Sequence, residues 1–279
     1  MLSLLSPGAS RDTTQTMRLI DGITAVTVGI GALEEITRHH EVGEDSLHSW
    51  TIRRTAWNRR FTRLMRPVLA LSSQRWDRAN AAVRLAAAAI HLAGPRDSRL
   101  RLAASAATAS AFWIKSFRQS YGSDGSDQVV FLTSACTTLA RLPGLPAVER
   151  ERALDFIGAQ SLMSYTVAGA AKTISPQWRD GSALPGIMRT QTYGDAWLYR
   201  ILKDRPWLCR AMCWTVIAVE TGAPLMLLAP PPVRRGYLAV LGGFHVANAR
   251  HMGLNRFLWA FVGTYPAVDR LGRRPAVQR

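Results

Sequence analysis

Three ionisable side chains stand inside otherwise apolar helical stretches: Lys172, Glu220 and His245, with Lys115 a less clear fourth. Taking a charge out of water is expensive, so such groups persist where they pair, line a polar path or react. An amine held among apolar residues is the type that can serve as a general base near neutral pH. Glu220 fits three roles: a proton carrier, a counter-ion for Lys172 or an arginine, or a polar residue beside the helix break at Pro224. His245, in GGFHVANARHMGLN, fits an acid–base group or a ligand as well as a satisfied core histidine.

Other chemical constellations are missing. No Ser-His-Asp set, phosphate loop or dinucleotide fingerprint occurs, and Gly29-Ile30-Gly31 lacks both the third glycine and a flanking strand. No His, Cys, Asp or Glu pair has a convincing metal-ligand spacing, so no metal is expected. Cys136, Cys209 and Cys213 all fall in apolar stretches, and Cys209 and Cys213 share a helix face, which reads as packing.

Lys172 closes an apolar, small-residue helix within residues 156–184, FIGAQSLMSYTVAGAAKTISPQWRDGSAL. A Ser-Pro turn and Trp178-Arg179-Asp180-Gly181 follow it. An apolar helix, a cation and then a tryptophan at the polarity boundary is the order of a transmembrane helix with a functional end. A soluble core helix whose lysine snorkels to water is the alternative. Further apolar stretches lie at 17–36, 79–93, 100–117, 129–142, 207–229, 236–249 and 254–268, and the 207–229 stretch matches the length a bilayer requires. Alanines let 79–93 and 100–117 pair closely as a hairpin. Residues 190–206, TQTYGDAWLYRILKDRP, read as an amphipathic surface helix. Residues 50–66, WTIRRTAWNRRFTRLMR, set aromatics against arginines as an interfacial helix does, and residues 270–279 read as a disordered basic tail. No alternating strand pattern, internal repeat or long linker is present, so the expectation is one all-α domain over residues 1–279: a polytopic transmembrane helical bundle with interfacial amphipathic helices.

Composition limits the partners. The chain has 279 residues, a hydrophobic share of 48% and a formal charge of +16. Such an excess points to nucleic acid or to an anionic membrane surface. The charges bracket apolar stretches rather than sharing a face with aromatics, which favours the lipid bilayer over nucleic acid. The N-terminus shows no basic region ahead of an apolar core, so no cleaved signal peptide is expected. Arginines are similarly abundant on both alternating sets of loops and do not orient the chain.

Three segments in this order, SYTVAGAAKTISPQWRDGSAL, VETGAPLMLL and GGFHVANARHMGLNRFLWAFVGTYPAV, resemble the HTTM membrane proteins, the family that includes the vitamin K-dependent γ-carboxylase. The YGSDGSDQ turn is similar to that of the actinobacterial-type branch. The resemblance covers about residues 110–268. It implies a multi-pass protein of the cell membrane that binds reduced vitamin K or another quinol. Oxygen converts that quinol into a strong base, and glutamate side chains are carboxylated. The family's proposed base ends an Ala-Gly-x-x-Lys helix, and Lys172 occupies the matching position. Glu220 and His245 join it as catalytic candidates, with Asp127, Gln128 and Trp178 toward the quinol. Two departures stand out: Ser126-Asp127-Gln128 replaces the family's Asn-His, and none of the family's large soluble, substrate-holding domain is expected after the last apolar helix. Both turn the expectation toward a lipophilic acid. The alternative is a non-catalytic accessory factor in the modification, maturation or export of a small peptide.

Overall fold

Prolines and glycines punctuate the chain into helices. The structure, a computed structural model, describes residues 11–37, 63–95, 99–118 and 125–274, and among these no strand occurs. The helices are α1 (Arg11–Thr37), α2 (Arg66–Leu71), α3 (Asp77–Ala93), α4 (Arg99–Arg118), α5 (Gly125–Ala140), α6 (Ala147–Ile174), α7 (Pro176–Asp180), α8 (Ala183–Met188), α9 (Ala196–Leu202), α10 (Pro206–Thr221), α11 (Pro231–Met252), α12 (Asn255–Val262) and α13 (Tyr265–Arg273). Short 3-10 turns cover Gln74–Trp76 and Ala223–Leu227. The all-α expectation holds. No described helix is long and apolar enough to cross a membrane.

The expected boundaries shift where local chemistry decides. Gly222 and Pro224 end α10 at Thr221, so the stretch 207–229 is one helix and a 3-10 turn rather than a single spanning helix. Within 190–206 the helix shortens to α9, with Pro206 already opening α10; Asp195 caps α9 by accepting from the Leu198 amide at 2.9 Å. Residues 270–274, expected to begin a disordered tail, are folded: α13 runs to Arg273, and Arg270 and Arg274 pair with Asp155 at 2.7 and 2.8 Å. That counter-charge lies more than a hundred positions away, out of reach of a local reading. Residues 275–279, the turn at 121–124 and the interfacial helix as far as residue 62 lie outside the described residues.

The chain divides into two compact units, with a boundary at Leu154–Asp155, inside α6. No linker marks it because the helix is continuous there. The first unit takes the described residues up to Leu154 together with Trp259–Gly263; the second takes Asp155–Leu258 and the described residues from Thr264.

In the first unit α1 packs on α3 and α5, and α4 packs on α3 and α5, closing a four-helix arrangement. Each of α1, α3 and α4 contributes one charged or ionisable residue to each of two buried layers, and the fourth members are Asp127 of α5 and Arg141, which directly follows it. In the first layer Asp21 receives Arg141, His91 at 3.4 Å and Arg101 at 3.7 Å. In the second, Glu35 pairs with Arg84 and, at 2.5 Å, with Lys115, which also reaches Asp127 at 3.0 Å. The layers repeat after fourteen positions in α1, α4 and α5 and after seven in α3, so each pair shares a helix face. The guanidiniums also serve helix ends: Arg101 donates to Pro95 O and Gly94 O, and Arg141 to Thr137 O. Those carbonyls carry the negative end of a helix dipole, which offsets the second positive charge facing Asp21. Arg150, buried, donates to the carbonyls of Ala140, Leu142 and Leu145 and stitches the end of α5 to the start of α6.

Removing one partner from such a layer leaves buried charge without compensation. Asp21→Asn is expected to cost about 3–5 kcal/mol in equilibrium unfolding. Glu149→Gln, at the exposed pair with Arg152, is expected to cost no more than about 1 kcal/mol. Equal costs would contradict the layered account.

Candidate functional site

One face of α6 in the second unit carries Gly158, Ser161, Tyr165, Gly169 and Lys172, at spacings of three or four that return to the same side of a helix. Every one of these positions meets a partner. A side chain at Gly158 would lie 2.9 Å from Ala267 O, so glycine lets α6 and α13 touch backbone to backbone. The Ser161 and Thr264 hydroxyls are 2.7 Å apart. The Tyr165 hydroxyl lies 2.6 Å from His245 Nε2 and 3.0 Å from the Tyr265 hydroxyl. At Gly169 a Cβ would meet the Thr221 amide at 2.6 Å and the Glu220 carbonyl carbon at 3.1 Å. One turn further on, Lys172 Nζ donates to Glu220 at 2.6 Å.

Lys172 and Glu220 therefore meet because Gly169 lets the C-terminal ends of α6 and α10 close on each other. The Lys172 side chain is 19% exposed and that of Glu220 5%. The ammonium also lies 5.1 Å from the centre of the Trp178 ring, a cation–π contact made possible by the Ser175-Pro176 turn, where Ser175 leaves the helical conformation. Lys172 can act as a base here only by first passing a proton to Glu220 or by exchanging Glu220 for a substrate group. Glu220 lies within electrostatic reach of Tyr165. His245 is fully buried, its ring set among Phe244 and Phe257 at 5.3 and 5.4 Å.

The structure thus brings together Lys172, Glu220 and Trp178, and next to them on α6 the Tyr165–His245 contact. Asp127 and Gln128 belong to the first unit, in the opening turn of α5, where Asp127 pairs with Lys115 and Gln128 is exposed. Lys115 is a member of that ionic layer. Sequence reasoning missed Ser161, Tyr165, Thr264 and Tyr265. The signal was present as a polar and glycine stripe at helical spacing inside an apolar helix.

A second polar contact lies elsewhere in this unit. His251 Nδ1 is 2.8 Å from Asp195, and its ring stacks on Trp197 at 6.0 Å with 8° between planes. The hydrogen bond from His251 and the Leu198 amide hold the Asp195 carboxyl below its ordinary range. Cys209 and Cys213 are buried free thiols, Cys209 packing with Met188 and Leu202. Among the described residues no group of three or more His, Cys, Asp or Glu is arranged to hold a metal ion.

No family model matches the chain, and no match is found among the curated proteins or the solved structures. The site is read from its own geometry.

The close approach at Gly169 generates a prediction. Gly169→Val places methyl groups where the α10 backbone now lies, and overpacking of this kind costs about 1–3 kcal/mol. Thermal unfolding should drop accordingly, and any property that depends on the Lys172–Glu220 contact should fall with it. A Gly169→Val variant as stable as the parent would contradict the helix contact.

Proposed function

We propose that this protein is an integral membrane helical bundle in which Lys172 and Glu220 form an acid–base site for a lipophilic acid such as a quinol. The observation that carries this reading is the Lys172–Glu220 contact at 2.6 Å, at the end of a helix whose open side is uncharged. Between Phe156 and Ile174 the exposed residues of α6 are apolar, apart from Thr173. On α11 the exposed residues between Gly236 and Ala247 are all glycine, alanine or valine, and exposed Arg235 and Arg250 bracket them. The first unit follows the same rule, since past Arg78 in its opening turn α3 exposes alanines, Val83 and Leu92 while Arg84 and His91 face inward. A water-facing surface has the opposite distribution. The polar residues that lower the mean hydropathy of these helices are thus the inward-facing ones, and lipid on the apolar side accounts for both facts. The uncharged face of α6 extends ~27 Å, close to the ~30 Å of a hydrocarbon core.

The residues present fit a quinol: a carboxylate to accept from a phenolic hydroxyl, an ammonium to donate to its oxygen, and an indole face at Trp178. A quinol, when bound, supplies an acidic O–H and reducing electrons. Glu220 holds or returns the proton that Lys172 gives up, and the Tyr165–His245 contact extends the polar path along α6. Carboxylase-like chemistry, with oxygen and carbon dioxide as further reactants, is the finer form of this proposal and follows the sequence resemblance alone.

A second reading is favoured by one specific observation. Glu220 already neutralises Lys172, as it would in a purely structural pair. On that reading the protein is a non-catalytic membrane accessory factor in peptide modification, maturation or export.

Native mass spectrometry of the detergent-purified protein separates the two. A quinone-sized ligand retained by the wild type and lost in Lys172→Ala is expected, with quinol turnover reduced by about 10²–10⁴-fold. Because Lys172→Ala strands a buried carboxylate, Lys172→Ala with Glu220→Gln is measured beside it, as a variant with a neutral interior. Undiminished turnover in that folded double variant, or a co-purifying peptide with no ligand, would contradict the acid–base reading.

A further inference from the structure

Along α10 the exposed surface of the second unit changes polarity in a fixed order. It begins with Arg205 and Trp207, passes Arg210 and Trp214, and reaches Ala218 and Thr221; beyond them stand Leu225 and Leu228. Trp207 is 71% exposed, Trp214 42%, and the two leucines 65% and 78%. Trp207, Arg210 and Trp214 are three and four positions apart and share one side of the helix.

This side is built together with the turn after α7. The Trp214 indole N–H donates to the Arg179 carbonyl at 3.2 Å. Gly181, with a φ of +91°, brings its backbone so near that a Cβ would lie 2.5 Å from the Arg210 amide nitrogen. Arg179, Arg210 and Trp214 therefore lie together. Asp180 is the exposed acid beside them, its carboxylate accepting from the Ser182 amide at 2.8 Å. From Arg179 to Arg210 the chain carries six lysines and arginines against three aspartates, and Asp195 is committed to His251.

Cation, then indole, then alkyl is the order of a phospholipid leaflet from phosphate to acyl chain. We infer that this face rests in the headgroup layer of an anionic leaflet. Arg179, Arg205, Trp207 and Arg210 lie in the headgroup layer, Trp214 at its glycerol edge, and Leu225 and Leu228 among the chains. The inference rests on the membrane reading and deepens it. Glu220 follows Trp214 by six positions, ~9 Å along the helix axis. The Lys172–Glu220 pair then sits just below the aromatic level. A ligand there is an amphiphile whose polar head stays at the headgroup boundary, not a water-soluble molecule.

The test uses the full-length protein in nanodiscs of mixed phosphatidylcholine and phosphatidylglycerol, with bound lipids counted by native mass spectrometry. Phosphatidylglycerol should be enriched on the wild type, and the enrichment should fall by about fivefold for each arginine neutralised in the Arg179→Gln, Arg205→Gln and Arg210→Gln series. Arg152→Gln should leave it unchanged. No enrichment on the wild type, or equal enrichment on the triple variant, would overturn the proposal. Alkaline carbonate treatment of native membranes separates this from the reading beneath it. Release into the supernatant would defeat membrane embedding while leaving the lipid preference measurable on its own.

Discussion

Glu220 lies in the last turn of α10, where the carbonyl end of the helix dipole makes a buried carboxylate costly. The Lys172 ammonium offsets that cost, and much of the second unit follows from bringing the two together. Gly169 removes the side chain that would keep α6 from α10, and Gly158 does the same for α6 and α13. The Ser175-Pro176 turn then returns Trp178 over the ammonium, and the hydrogen bonds of Ser161 and Tyr165 fix the rotation of α6. A helix rotated by one residue would turn this whole stripe away from its partners. The pair is thus both the candidate chemical centre and the mark of correct register.

The first unit solves the same problem with more charges. Two four-membered layers, drawn from α1, α3, α4 and the segment from α5 to Arg141, set Asp21, Glu35 and Asp127 among three arginines, a histidine and a lysine. Buried ion pairs add little net stability, because desolvation takes back most of the Coulomb gain. What they supply is selectivity, since a shifted helix would leave a charge without its partner.

Much of the helical fold was legible in the sequence, because its punctuation is chemical. The Ser-Pro turn after Lys172 and the Gly94-Pro95 break mark real helix ends, and the paired alanine-rich stretches become α3 and α4. The length of the stretch 207–229 was misleading, because Gly222 and Pro224 override an apolar run. Contacts between distant positions were not legible. Asp155 gives no local sign that it anchors Arg270 and Arg274, and Glu35 none that it meets Arg84 and Lys115. Of the candidate site, Lys172 and Glu220 stood out because an ionisable group in an apolar helix is conspicuous. Tyr165 did not, because a tyrosine in such a helix is ordinary until its hydroxyl is seen against His245.

The central claim is that apolar side chains face lipid while the charged ones face each other. Photolabelling with a small carbene-generating reagent confined to the hydrocarbon phase tests it most directly, with labelled residues read by mass spectrometry. The account predicts label on the outward positions Met163, Val167, Val240 and Val246, and none on Tyr165 or His245. Label absent from all of the outward positions, in a protein that still unfolds cooperatively, would contradict it.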